Sequence, residues 1–302
     1  MSRCDLVLLG TSSQRPTRTR NHNGYLLRWG GVSLLVDPGE GTQRQFTFAG
    51  ASASKVHHIL LTHLHGDHCL GLPGVLQRMA LDGVDRPVPV YFPESGLPYV
   101  ERLIDASIGE RVEVELRPVP AEGAVMEDGP LRITALPLAH RVPTVGWRVE
   151  ELDRTHLIPE RLAELGVEGP AAGRLLAEGH LQLGERTVTL DEVSEVRPGR
   201  SAAVVMDTAV CDNAVQLCDG VDLAVIEATY LEAEAHLAEQ YTHLTAAQAA
   251  RIALAAGAKR LVVTHFSSRY PDNVGHLEEA SAIFPDVVAA EDLMTVEFPV
   301  HR

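Results

Sequence analysis

The segment THLHGDHCLGLPG, residues 62–74, places His63, His65, Asp67 and His68 within six positions at the end of the run HILLTH. In an extended chain, side chains two residues apart share a side, so His63 and His65 can point the same way. Past Gly66, Asp67 and His68 then reach a neighbouring point. Imidazole and carboxylate donors without thiolate suit zinc, with manganese as the alternative. Four such donors exceed what one ion takes from a single loop, so the pattern implies two ions side by side. Cys69 adjoins His68, but a free cysteine more often fills core space.

Three distant residues complete such a pair. His140 ends LRITALPLAH, Asp207 ends AAVVMD, and His265 ends RLVVTH. The expected arrangement gives His63, His65 and His140 to one ion and Asp67, His68 and His265 to the other, with Asp207 bridging them. Two ions roughly 3.5–4 Å apart share a hydroxide nucleophile and stabilise the attacking and leaving oxygens of an in-line displacement, which suits phosphodiester cleavage. A single histidine after a strand is ordinarily a polar core or rim residue. The cluster at 63–68 has no comparably ordinary explanation.

The elements that must position these residues are legible as alternating patterns. DLVLLG, GYLLRWGGVSLLVD and HILLTH read as strands, and LGLPGVLQRMAL reads as a helix. The second half repeats the scheme with AAVVMD, VDLAVIEAT, the alanine-rich helix TAAQAARIALAAG and RLVVTHFSSRY. Strands trading with helices predict an α/β layered fold of two helix-covered sheets. Thr62-His63 is echoed by Thr264-His265, and Asp37 by Asp207, so ligating groups are expected at strand ends in both halves. Residues 151–200 change texture. Helical pieces PERLAELG and PAAGRLLAEG are broken at Gly169-Pro170, and ten acids face six arginines. This stretch reads either as an arm inserted into a single domain spanning 1–302 or as an ordinary pair of covering helices.

The chain has 302 residues and a formal charge of −15. That charge argues against a general nucleic-acid coat or a basic membrane binder, each of which needs a positive field over much of the surface. A local patch remains, because Thr11 to Val36 carries Arg15, Arg18, Arg20 and Arg28 with no acid. Lys55 and Lys259 are the only lysines, and arginine suits bidentate phosphate contacts, although codon bias explains the count as well. Cys4, Cys69, Cys211 and Cys218 form no C-x-x-C pair, so a reducing cytoplasm is expected. The start MSRCDLVLLG has too short an apolar run for a signal peptide, and no run approaches a membrane span.

HLHGDH at 63 matches the His-x-His-x-Asp-His signature of the metallo-β-lactamase superfamily in full. Within it the chain resembles the ribonuclease Z branch nearly end to end, through LLGTSSQRPTRTRN, VDPGEGTQRQ, ILLTHLHGDHCLGLPG, VMDTAV, IEATY, THLT, VVTHFSSRY and VAAEDLM. The resemblance implies a four-layer αβ/βα sandwich with metals at one edge of the sheets and an exosite arm at 151–200. It further implies a zinc-dependent endoribonuclease that removes the 3′ trailer from precursor tRNA, with two zinc ions per subunit, acting as a homodimer in which one subunit's arm serves the other's site.

By position, the resemblance makes Asp67 the general base as well as a ligand. It pairs Glu227 of IEAT with His243 of HLT to steer a proton to the leaving 3′ oxygen; His243 also reads as a residue beside a Thr245 helix cap. The Pro-x-Lys-x-Arg-Asn element falls on Pro16 to Asn21, so Arg18, Arg20 and Asn21 are expected at RNA phosphates, with Arg269 near the substrate path. Departures stand beside these matches. Met206, Ile226 and Leu244 replace the family's glycine, histidine and serine, and the first two put bulk near the expected metals. The arm carries −4 where the family presents basic residues. A hydrolase of a small phosphodiester or sulfate ester is therefore the alternative, and an RNA-binding protein with an inactive site a third.

Overall fold

CDLVLLG forms strand β1 (Cys4–Gly10), and every residue in it is buried. Strands covered on both faces read as unbroken apolar runs, so this pattern places β1 inside a sandwich. The computed structural model describes residues 4–299; residues 1–3 and 300–302, the ends of the expected 1–302 domain, lie outside the described residues. β1 pairs antiparallel with β2 (Gly24–Trp29), and β2 with β3 (Val32–Val36). β4 (His58–Leu60), β5 (Val88–Pro93) and β6 (Val114–Val119) follow in parallel, and β18 (Thr295–Glu297) closes the other side of β1 in a seven-stranded sheet. The second seven-stranded sheet runs β17 (Val287–Ala289), β16 (Arg260–Thr264), β15 (Leu223–Glu227), β14 (Ser201–Val205), β9 (Val145–Glu151), β8 (Leu131–Pro137), β7 (Ala124–Asp128). Its β14 to β17 are parallel.

Register shows how the layers stack. Leu6 lies opposite Leu27 and Leu8 opposite Tyr25, so these share one face, while Val7, Leu9 and Leu26 share the other. The second face packs on the helix Leu72–Leu81, which buries Leu72, Val75, Leu76 and Met79 at helical spacing. The first face meets the other sheet. The Tyr25 hydroxyl lies 3.3 Å from Thr264 Oγ1 at the end of β16, and the Tyr91 and Trp147 rings are 6.3 Å apart. Outside the second sheet, the helix Ala246–Ala255 buries Ala249, Ala250, Ile252 and Ala253 and packs on β15 and β16. Thr245 caps it reciprocally with Gln248. Helix, sheet, sheet and helix make the expected αβ/βα sandwich, with both halves of the candidate site at its strand ends.

Residues Glu150–Arg200 together with Asp128–Arg132 form a compact unit of their own. β10 (Arg154–Leu157) pairs with β13 (Ser194–Arg197), and β11 (His180–Leu183) with β12 (Arg186–Thr189), all antiparallel. The two interrupted helical pieces are the helices Pro159–Glu164 and Pro170–Glu178. Gly169 takes φ of 52°, which glycine adopts freely, and Pro170 starts the next helix. Val167, Leu175, Leu181, Val188 and Val193 form the small core. Arg186 and Arg197 are paired with Glu192 and Glu195 inside the unit.

Candidate metal centre and active site

Asp37 after β3, Asp207 after β14 and His265 after β16 hold φ of 48°, 43° and 64°. A left-handed conformation costs a non-glycine residue about 1–3 kcal/mol, and such residues concentrate at functional sites. Here each ends a strand abruptly. Thr62 and the short helix Gly66–Cys69 follow β4 and carry the rest of the cluster. The glycines around it permit close packing. A Cβ on Gly71 would collide with the Gly39 carbonyl, and one on Gly39 with the Asp67 carbonyl, so the DPGEG loop lies directly against the histidine loop.

The structure brings His63, His65, His140 and Asp207 together, and Asp67, His68 and His265 together. Within each group one potential ligand atom per residue lies within 4.8 Å of the others. Asp207 divides its carboxylate between them. Its Oδ2 lies 3.5 Å from His63 Nε2 and 3.8 Å from His140 Nε2, while Oδ1 lies 3.1 Å from His265 Nε2 and 3.3 Å from His68 Nε2. Asp67 Oδ2 is 3.4 Å from His68 Nε2 and 3.5 Å from His265 Nε2.

The far side of three of these rings is held by the protein. His68 Nδ1 lies 2.7 Å from Asp37 Oδ2, His265 Nδ1 lies 2.8 Å from Thr229 Oγ1, and His140 Nδ1 lies 3.0 Å from the Thr242 carbonyl. Fixing one nitrogen in this way orients the other as a ligand. His140 Nε2, His265 Nε2 and Asp207 Oδ1 are buried with no hydrogen-bond partner, although such atoms are costly to leave unpaired. These orphaned atoms converge on one another, and the donor set is imidazole and carboxylate. The residues fit a metal site.

Electrostatics point the same way. Burial pushes the Asp207 carboxyl up, but His265, His68, His243 and His63 outweigh it and hold it well below the usual range. Burial likewise opposes ionisation of Asp67, which His68 and His265 overcome. His68 resists burial because Asp207, Asp67 and Asp37 draw a proton onto it, whereas burial and the neighbouring His68 keep His63 neutral. Ionised carboxylates enclosed this deeply require positive charge beside them.

His243 Nδ1 lies 2.9 Å from Glu227 Oε1 and 4.0 Å from Asp207 Oδ2. Burial disfavours its charged form, yet Glu227 and Asp207 raise its pKa to about 9. Burial pushes Glu227 up, and the facing His243 brings it below its usual value. Glu227 also accepts from the Thr208 amide at 2.9 Å and the Thr229 hydroxyl at 2.5 Å, which fixes both of its oxygens. His243 opens onto a polar cavity of about 560 Å³ that also exposes Arg15, Arg141 and Arg269.

Of the residues expected at phosphates, Arg269 lines this cavity, its guanidinium 5.2 Å from the Tyr230 ring centre. Arg20 is turned inward instead. It donates to the Tyr270 carbonyl and lies over the Phe266 ring, so it holds the loop rather than presenting charge. Asn21 donates to the His22 carbonyl and to the Glu40 carbonyl of the DPGEG loop, tying the two loops together, while Arg18 is exposed. The arginine-rich stretch is also less of a patch than its sequence suggests, because Arg28 is paired with Asp5. Met206, Ile226 and Leu244 are fully buried and do not line the polar cavity.

Asp37 corrects an expectation. The strand-end echo suggested a ligating group, but Asp37 binds the Thr62 amide and hydroxyl and His68 Nδ1, which positions ligands instead. Thr229, Thr242 and Arg141 gave no sequence signal that separates them from ordinary loop residues.

The sequence matches the Beta-lactamase superfamily domain over residues 33–158 and 185–266. It is 52% identical to Ribonuclease Z of Nocardia farcinica across the whole of both chains. It is 51% identical to Ribonuclease Z of Thermobifida fusca, covering all of this chain and 97% of that one. Among solved structures, the short form of human tRNase Z superposes with a TM-score of 0.72 at 27% identity, covering 98% of this chain and 100% of that one. The metallo-beta-lactamase fold protein YhfI of Bacillus subtilis, at 18% identity and a TM-score of 0.71 over 98% and 100% of the two chains, shares the fold.

Proposed function

The chain belongs to the ribonuclease Z family of the metallo-β-lactamase superfamily, and on that premise we propose how its site removes the 3′ trailer of precursor tRNA as a metal-dependent endoribonuclease. The observation that carries the reading is the Glu227–His243 pair, set beside Asp207 and opening onto a cavity with three arginines. His63, His65 and His140 would hold one ion and Asp67, His68 and His265 the other, with Asp207 between them. When bound, the pair supplies Lewis acidity at the phosphoryl group and a water acidic enough to attack at neutral pH. Asp67, kept ionised and anchored by the Gln14 amide at 2.7 Å, accepts a hydrogen bond from the attacking water and takes its proton. His243 donates its proton to the departing 3′ oxygen, and Glu227 holds the imidazole charged and in place.

Arg269, Arg15 and Arg141 supply cationic contacts for the RNA backbone at the cavity, and Arg18 extends them outward. Arg20 and Asn21 act by holding the loop. Zinc is the metal the donor set supports best, with manganese second. The four free cysteines support a cytoplasmic setting, and among the described residues no helix is long and apolar enough to cross a membrane. Working as a homodimer, the chain would lend its arm to the partner's substrate.

A 5′-labelled tRNA precursor with a 3′ trailer tests the reading, with zinc-loaded protein and a His65→Ala control. A single cut beside the discriminator base, lost in the control, is expected. The acidic arm and the charge of −15 favour one other substrate class, a small phosphodiester or sulfate ester. An uncut precursor alongside turnover of a chromogenic phosphodiester that tRNA does not inhibit would establish that class instead.

A further inference from the structure

The histidines of the centre form a row. The His65 and His140 ring centres are 5.3 Å apart, and those of His140 and His243 are again 5.3 Å apart. His243 and its arginine-lined cavity stand at one end. At the other end, beside His65, lies a second cavity of about 350 Å³, lined by Leu64, His65, Pro93, Tyr99, Val142 and Pro143. Its character is opposite to the first, since its walls are mostly apolar, with Ser95, His65 and the Tyr99 hydroxyl as the polar groups, and carry no Asp, Glu, Lys or Arg. Tyr99 is 58% exposed although it is aromatic and directly beside a metal ligand. It stands in the first turn of the helix Leu97–Ile104, and one turn further on Arg102 places its guanidinium 5.6 Å from the ring centre.

An RNA strand that crosses the metal centre leaves one nucleotide on each side of the scissile bond. Because His243 serves the leaving 3′ oxygen, the upstream nucleotide belongs at its end of the row, and the trailer must leave past His65. What it meets there is a flat ring, apolar walls and a nearby cation, the combination that binds single strands by stacking with little regard to base identity. The size lies within the range of small-molecule sites.

We propose that the Tyr99 cavity seats the first base of the trailer, immediately 3′ of the scissile bond, stacked on the Tyr99 ring. The inference rests on the ribonuclease reading of the site. A stacked ring recognises the face of a base and not its edge, so all four bases are accepted, while a missing base is not.

The test uses two precursors, one with a normal nucleotide and one with an abasic nucleotide at the first trailer position, cut by the parent enzyme and by Tyr99→Ala, Tyr99→Leu and Tyr99→Phe. In the parent, the abasic substrate should have a KM higher by about 5- to 150-fold, the affinity that one stacked base confers. In Tyr99→Ala that ratio should collapse toward one, because the normal precursor loses the same contact. Tyr99→Phe should keep the ratio, and Tyr99→Leu, which fills space without a π face, should lose most of it. The same ratio in Tyr99→Ala as in the parent, or a Tyr99→Phe that behaves like Tyr99→Ala, overturns the assignment. A parent enzyme that cuts at one position with a ratio near one removes this subsite alone, whereas a parent that cuts no precursor removes the ribonuclease reading itself.

Discussion

Replacing Glu227 with glutamine isolates what the buried carboxylate does for His243. The carboxylate is fully buried, fixed by the Thr208 amide and the Thr229 hydroxyl, and 2.9 Å from the imidazole. Glutamine keeps the shape but carries no charge. Its single carbonyl oxygen can serve either the Thr208 amide and His243, which share Oε1, or the Thr229 amide and hydroxyl, which share Oε2, and its amide would then face donors. In the parent, burial opposes the charged imidazole, and Glu227 and Asp207 raise its pKa to about 9. A group that must be protonated to act is fully competent below that value, and its contribution is lost as pH rises through it. Glu227 is the larger of the two raising charges, so its removal should return His243 most of the way toward about 6.5–7. At pH 8 the protonated fraction then falls from roughly nine-tenths to roughly one-tenth, a loss of about tenfold that grows with pH and vanishes near pH 6. Single-turnover cleavage of a labelled precursor between pH 6 and 10 reads this directly. An alkaline limb that stays at the same pH in Glu227→Gln refutes the proton-donor role. A uniform loss at all pH values would mean that Glu227 merely orients the ring.

Thr229→Val removes the hydroxyl that joins Glu227, His243 and His265, and should weaken metal binding about 10- to 100-fold. Competition with a chromophoric chelator measures this, Thr229→Ser should restore affinity, and unchanged binding in the valine variant would end the argument. His276 is buried between Phe266 and Tyr270, and burial, followed by the charge of Arg20, lowers its pKa to about 4. The unfolded chain protonates this histidine near 6.5, so its contribution is intact above that pH and lost as pH falls toward 4, about 3 kcal/mol in all. Urea unfolding across that range should show His276→Phe with a flatter acid limb than the parent, and parallel limbs would discard the assignment. With Arg15, Arg141 and Arg269 as the cations of the polar cavity, the logarithm of RNA affinity should fall against the logarithm of salt with a slope of about −2, as three single-strand phosphate contacts give. A slope several times steeper would mean that a distant basic surface dominates binding.

Much of the fold was legible because strands and helices here keep their periods. β1 is an unbroken apolar run since both faces are covered, and the Leu72–Leu81 helix repeats its apolar positions at helical spacing. The histidine and aspartate cluster was legible because four of its members are local and the other three follow strands. Asp37 and Thr229 were harder, because their roles depend on which loops meet in space. Asp37 sits at a strand end just as Asp207 does, with nearly the same φ, yet one binds the far nitrogen of His68 and the other lies among the near ones. Nothing in either local sequence encodes that difference. Arg20 misled for a related reason. Its position in an arginine-rich stretch suggests a phosphate contact, whereas packing on Phe266 and the Tyr270 carbonyl uses it as a strut.

An acidic chain that acts on a polyanion looks like a contradiction, and the distribution of charge resolves it. The chain carries −15 in all, of which residues 151–200, with ten acids against six arginines, hold −4. At the site the acids are enclosed. Asp67 and Asp207 are buried among histidines, and Glu227 is matched by His243, so a phosphate in the cavity meets Arg15, Arg141, Arg269 and the charged imidazole rather than carboxylate. With metals bound, the carboxylates that remain near the phosphate are neutralised as well. Positive charge is thus present where the displacement occurs although the chain as a whole is acidic, which favours stabilising the reacting phosphate over gripping the whole RNA. An apolar stacking site for the trailer fits that economy, because it adds affinity next to the scissile bond without adding charge.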